Sequence, residues 1–175
     1  MKTNINWQPE LENEIVKLVP LQKSDFELLY AVASDPLIWE QHPNKDRWKK
    51  DVFENFFRGA IESGGAYKII DKHSGRVIGS TRFYGYNSEE REVSIGYTFF
   101  AREYWGGKSN PLVKKLMMEY AFKHVDSVLF HIGAVNIRSQ KAIERLGAVK
   151  IAEEQIAYYG EESKLNFIYR IKKLI

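Results

Sequence analysis

The sequence predicts an α/β domain with a mixed central sheet, part antiparallel meander and part parallel pair, flanked by helices. Three observations carry this. The stretch from Val93 to Ala148 reads strand, glycine turn, helix, strand, helix. A strand–helix–strand unit of that length is a crossover that makes its two strands parallel, not a hairpin. From Ala66 to Phe100 the apolar period shortens to that of strands, broken by the polar turns Asp71 to Arg76 and Asn87 to Glu90, as in an antiparallel meander. The chain has 175 residues and shows no repeat, low-complexity tract or linker, so 1–175 is expected to fold as a single domain with a full core.

The elements follow in order. Met1 to Asn13 reads as a loose leader, and Ile15 to Val19 as a first strand ended by Pro20. Ser24 suits the N-cap of a helix through about Ala33, with Phe26, Leu29 and Tyr30 at helical spacing. Ser34 to Lys45 is irregular. A second helix is expected over Asp46 to Ser63, with Trp48, Val52, Phe56 and Ile61 inward, and Gly64-Gly65 breaks it. Tyr67 to Ile70, Val77 to Tyr86 and Arg91 to Phe100 form the meander. After the turn Trp105 to Asn110, Pro111 opens a helix to about Val125, capped by Asn110. Its apolar stripe is Val113, Leu116, Met117, Tyr120 and Ala121, and Lys114, Lys115, Glu119 and Lys123 fall off it. Val128 to Ile132 is the next strand. Asn136 caps a helix that stops at Gly147, with Ile137, Ala142, Ile143 and Leu146 on its apolar side. Ala148 to Tyr158 and Leu165 to Ile175 read as two last strands around Gly160-Glu161-Glu162.

Composition narrows the function classes. A formal charge of +3 is too small to argue for nucleic acid, though it suits an anionic cofactor. The absence of Cys excludes disulfides, a thiol nucleophile and thiolate metal sites. The four His (His42, His73, His124, His131) show no metal-ligand spacing, so no metal is expected. No stretch approaches the ~18 apolar residues of a membrane span, and the first fourteen residues hold no apolar signal core. A cytoplasmic location without a membrane partner is the expectation.

A glycine turn feeding a helix offers free N–H groups and the positive end of a helix dipole, which together favour a phosphate. Taken alone, the turn Gly106, Gly107, Lys108, Ser109, Asn110 reads more readily as a plain strand-to-helix connection than as a phosphate site.

The order of elements settles more. Ile95-Gly96-Tyr97, Trp105-Gly106, Tyr120-Ala121-Phe122, Asn136 with Ser139 three residues on, and Gly147-Ala148 stand in one order over more than fifty residues. With the strand, two helices and meander before them, they resemble the GNAT superfamily of acyl-CoA-dependent N-acetyltransferases over nearly the whole chain. The likeness is closest to the branch that includes the RimJ/RimL ribosomal-protein acetyltransferases. The family's pyrophosphate turn reads Arg/Gln-x-x-Gly-x-Gly/Ala. Here Trp105 holds the first position, Lys108 the usual Gly and Asn110 the usual Gly/Ala.

The resemblance implies acetyl-CoA as cosubstrate, bound in a cleft between two splayed parallel strands ending at Phe100 and Ile132. Gly106, Gly107, Lys108, Ser109 and Asn110 would hold the diphosphate, the backbones of Phe99 and Phe100 the pantetheine amides, and Asn136 the cofactor arm. Ser139 would stabilise or protonate the leaving thiolate, and reads otherwise as a first-turn residue beside the cap. Glu92 is the first candidate for the base that frees the attacking amine, and reads equally as a solvated strand carboxylate. His42 and Glu40 come second. His131, inside an apolar strand, reads as a core histidine. The acceptor is a protein N-terminus or a small amine, and homodimers are a common habit of relatives, with a final strand reaching Ile175 as an edge. The rival is a non-catalytic acyl-CoA-binding or scaffold domain on the same fold, motivated by the altered turn and by Ser94 where the branch often carries an acid. A third, weaker reading is another nucleotide binder.

Overall fold

The computed structural model describes residues 4–158 and 160–174. The leader's first three residues and Ile175 lie outside the described residues. The strands are β1 (Leu11–Glu12), β2 (Val16–Pro20), β3 (Ala66–Asp71), β4 (Val77–Asn87), β5 (Glu92–Phe100), β6 (Ser127–Gly133), β7 (Val149–Ala157) and β8 (Ser163–Lys172). The α-helices are α1 (Phe26–Ala33), α2 (Lys50–Glu62), α3 (Ser109–Ala121) and α4 (Ile137–Glu144). No helix among the described residues is long and apolar enough to cross a membrane.

All eight strands form one sheet in the order β1-β2-β3-β4-β5-β6-β8-β7. Every pairing is antiparallel except β5 with β6. The expected meander and crossover are both present, and the crossover is the joint of the molecule. Only Glu92–Ser94 pair with Ser127–Leu129. Past these residues β6 keeps its full pairing with β8, while β5 stays with β4. The sheet therefore divides into two halves joined at one end and parted at the other.

Each face carries its own core. Val113, Met117 and Ala121 of α3 pack on one face with Phe100, Val128, Phe130 and Ile132. Leu29 of α1 and Phe53, Phe56 and Phe57 of α2 pack on the other, with Phe99. Alternation along β5 and β6 sends neighbouring side chains to these two faces.

Four expectations shift. The second helix begins at Lys50, after a turn in which the Lys49 N–H donates to the Asp46 carbonyl. Its buried face is Phe53, Phe56, Phe57 and Ala60, and Trp48 is exposed. Three phenyl rings on one stripe remove more apolar surface than the stripe through Trp48 and Val52 would. A 3-10 turn over Lys23–Asp25 precedes α1. The Ser24 cap gives way to Asp25, whose carboxylate accepts from the Gln22 N–H and pairs with Lys68 at 2.6 Å. In α3 the cap position falls to Lys108, and Asn110 lies inside the first turn. Ile137 of α4, expected inward, is 49% exposed.

Candidate active site

A bulge opens the cleft. Ser80 pairs with Phe99 and Arg82 with Gly96, so two steps along β4 match three along β5. The extra residue falls at Tyr97, whose φ of 53° is left-handed. For a non-glycine residue this costs about 1–2 kcal/mol. Ring packing offsets the cost: the Arg82 guanidinium lies 3.8 Å from the Tyr97 ring centre, and Tyr84 and Tyr158 meet the same ring edge-on. A bulged strand bends, and here it bends away from β6. Tyr97 and Thr98 have no register partner on β4 and line the cavity that results, of about 410 Å³.

The mouth of the cavity is the turn before α3. Gly106 takes φ 70°, which a side chain would strain. Trp105 donates its indole N–H to the Phe100 carbonyl at 3.1 Å, and the Arg138 guanidinium stacks on that indole at 3.8 Å. Gly106, Gly107 and Asn110 line the cavity, as do Arg138 and Arg145. The Asn110 Oδ1 is buried without a hydrogen bond. Lys108 and Ser109 do not line the cavity, since they start α3 on its outer and inner sides, Lys108 exposed and Ser109 buried. Phe99 and Phe100 border the cleft with their side chains in the two opposite cores.

The N-terminus of α4 faces the same space. Asn136 accepts the Ser139 N–H at 3.2 Å and so caps the helix, and both residues line the cavity. Gln140 fixes the loop before it by donating to the Gly133 and Ala134 carbonyls.

Glu92 is elsewhere. It pairs with Asn87 and Ser127, at the closed end where β5 and β6 are still bonded, and does not line the cavity. Face alternation put it beside the site; distance along the strand removes it. No Asp or Glu is among the lining residues, and Glu40 is exposed. His42 does line the cavity, but its Nδ1 accepts from the Asn44 N–H at 2.9 Å and its Nε2 lies 3.2 Å from Arg47. Desolvation, with the Arg47 charge beside it, holds its pKa well below the usual histidine range. His131 also lines the cavity, on the face of β6 that carries α1 and α2, edge-on to Tyr84. Burial lowers its pKa.

Three cations escaped sequence reading. Arg47 is 1% exposed and holds both oxygens of Glu161 at 2.8 Å, inside a box of Trp39, Phe56, Tyr97 and Tyr158. Asn44 donates to the same carboxylate. Arg82 lies under Tyr97, and burial lowers its pKa to about 10. Lys114 is 4% exposed and lines the cavity. Its one signal was spacing: it stands one turn after Asn110 and one before Met117.

A parted parallel pair, a bulge and two helix N-termini meet at one cavity, an arrangement that suits an acyltransferase. The chain belongs to the GNAT family: the family model "Acetyltransferase (GNAT) domain" matches residues 16–149. It is an N-acetyltransferase. Its fold is similar to a GCN5-related N-acetyltransferase from Brucella melitensis, at TM-score 0.80 and 18% identity, covering 94% of this chain and 79% of that one. It is also similar to a GNAT-family acetyltransferase from Bacillus anthracis (0.74, 16%, covering 94% and 98%). Mycobacterium smegmatis RimJ in complex with CoA-disulfide is a further neighbour (0.70, 14%, covering 94% and 86%). Comparison with curated proteins finds no match in sequence.

Proposed function

We propose that this chain moves an acetyl group from acetyl-CoA to a primary amine by direct attack, with the cosubstrate threaded between β5 and β6. The observation that carries this is the parting of those strands at a bulge, directly below a glycine turn and a helix N-terminus. The residues present fit the group. The turn from Gly106 to Asn110 and the start of α3 suit a diphosphate, and Arg138 and Arg145 add positive charge at the lining. The backbones of Tyr97 to Phe100 run along the gap and can pair with the pantetheine amides. Asn136 holds the arm, and Ser139 stands beside the departing sulfur.

The acceptor approaches from the α2 face, between Trp39, His42, Tyr97 and Tyr158. Its amine must be neutral to attack. His131 is the base on this face: burial lowers its pKa and favours the neutral ring, and among the described residues no hydrogen bond holds it. A small amine, or a protein N-terminus by likeness to the RimJ/RimL branch, fits this opening.

The test follows CoA release with a thiol reagent across a panel of small amines and N-terminal peptides. Amine-dependent release, with the acetylated product found by mass and His131→Gln slowing the reaction most at neutral pH, supports the reading. Tight acetyl-CoA binding with no turnover across the panel favours a scaffold instead.

A further inference from the structure

Lys114 is an ammonium-bearing side chain in a cavity without a carboxylate. It reaches from α3 into the gap between the parted strands. Its Nζ lies 2.5 Å from Thr98 Oγ1 on β5 and 5.9 Å from the centre of the Phe130 ring on β6. Phe130 is one residue past the last paired residue of β6, and Thr98 belongs to the bulge. The amine therefore sits between the parted strands, beside the bulge. Among the described residues Thr98 is the hydrogen-bond partner of Lys114 Nζ, and an ammonium can donate three such bonds.

This placement has a consequence that rests on the acyl-CoA reading. A pantetheine arm that begins at the turn from Gly106 to Asn110 and follows β5 inward ends at Thr98. Its sulfur then arrives beside Lys114. His131 and the acceptor lie on the opposite face, so the amine of Lys114 is not placed to deprotonate the acceptor.

We propose that Lys114 is a catalytic residue that meets the CoA sulfur and supplies its proton when the thioester breaks. The acceptor nitrogen bonds to the carbonyl carbon and yields one proton to His131, and the carbon–sulfur bond breaks with its electron pair going to sulfur. A proton then passes from Lys114 Nζ to sulfur, giving CoA thiol and a neutral lysine that regains its proton from solvent. Burial places the ammonium at a pKa of about 7, so it gives up its proton to a thiolate at neutral pH. The Ser139 hydroxyl is a far weaker acid and serves as a hydrogen-bond donor to the same sulfur.

The test measures affinity for CoA and for desulfo-CoA by calorimetry, in the wild type and in Lys114→Met. The wild type should bind CoA about ten-fold more tightly than desulfo-CoA, and Lys114→Met should lose most of that preference, the Ser139 hydroxyl keeping the rest. Equal wild-type affinities, or a sulfur preference undiminished in Lys114→Met, overturn the proposal. Failure of both ligands to bind overturns the acyl-CoA reading instead. Lys114→Arg separates charge from proton supply, because arginine does not release its proton. It should keep the sulfur preference while kcat falls about 100-fold or more. Wild-type kcat in Lys114→Arg refutes proton donation.

Discussion

Replacing Lys114 by methionine should stabilise the fold, and by an amount that depends on pH. Methionine nearly matches the lysine stem in volume and carries no charge to bury. Burial lowers the Lys114 pKa from 10.5 to about 7. Each pKa unit is worth about 1.4 kcal/mol, so keeping this lysine buried costs up to about 5 kcal/mol below pH 7. Between pH 7 and 10.5 the unfolded chain binds more protons than the folded one, so the cost is relieved as pH rises. At pH 7 the methionine variant should exceed the wild type by about 4 kcal/mol, and at pH 9.5 by about 1 kcal/mol. Thr98 keeps the Thr81 hydroxyl as a partner in the variant, at 2.9 Å. The other titratable groups lining the cavity, among them His42, Tyr97, Tyr104, His131 and Tyr158 with the arginines Arg47, Arg138 and Arg145, are common to both proteins and drop out of the difference. Urea unfolding of the two proteins at both pH values measures it. A gap that does not change with pH, or a variant less stable at both, would refute the reasoning.

Other substitutions test other parts of the structure. Asn136→Ala should weaken CoA binding and cost about 1 kcal/mol of stability through the lost cap, whereas Ser139→Ala should slow turnover more than it weakens binding; titration and steady-state kinetics separate the two. Glu161→Ala leaves the buried Arg47 guanidinium unpaired and should cost about 3–5 kcal/mol in chemical unfolding. Gly79→Ala places a Cβ 2.0 Å from the Phe99 carbonyl oxygen, backbone against backbone; thermal melting should show a loss of several degrees or more, because β4 and β5 must separate there.

The architecture was legible because its signals are local. Strand and helix periods, Pro20, the Gly64-Gly65 break and the Asn136 cap each act within a few residues, and their order carried the family. The glycine turn before α3 and the Asn136–Ser139 pair, which the structure brings to one cavity, were readable for the same reason. What failed depended on geometry across the sheet. Glu92 shares a face with Ser94 but lies at the bonded end of the split, and a bulge cannot be placed from alternation alone. Lys114 looked like a surface residue because α3 was read as having one apolar stripe. The helix touches both the core and the cleft, so a second side of it is buried. Arg47 and Glu161 are 114 residues apart in sequence, and no local pattern joins them. His131 read as core because its strand is apolar, yet the parting of β5 from β6 exposes that face to the cavity.

The most direct measurement is isothermal titration of the purified protein with acetyl-CoA, with ATP and NAD as controls. The account predicts saturable one-site binding of acetyl-CoA, weakened by Asn136→Ala, and no heat from the controls beyond dilution. Absence of acetyl-CoA binding by a folded protein, or equal binding of ATP or NAD, would contradict it.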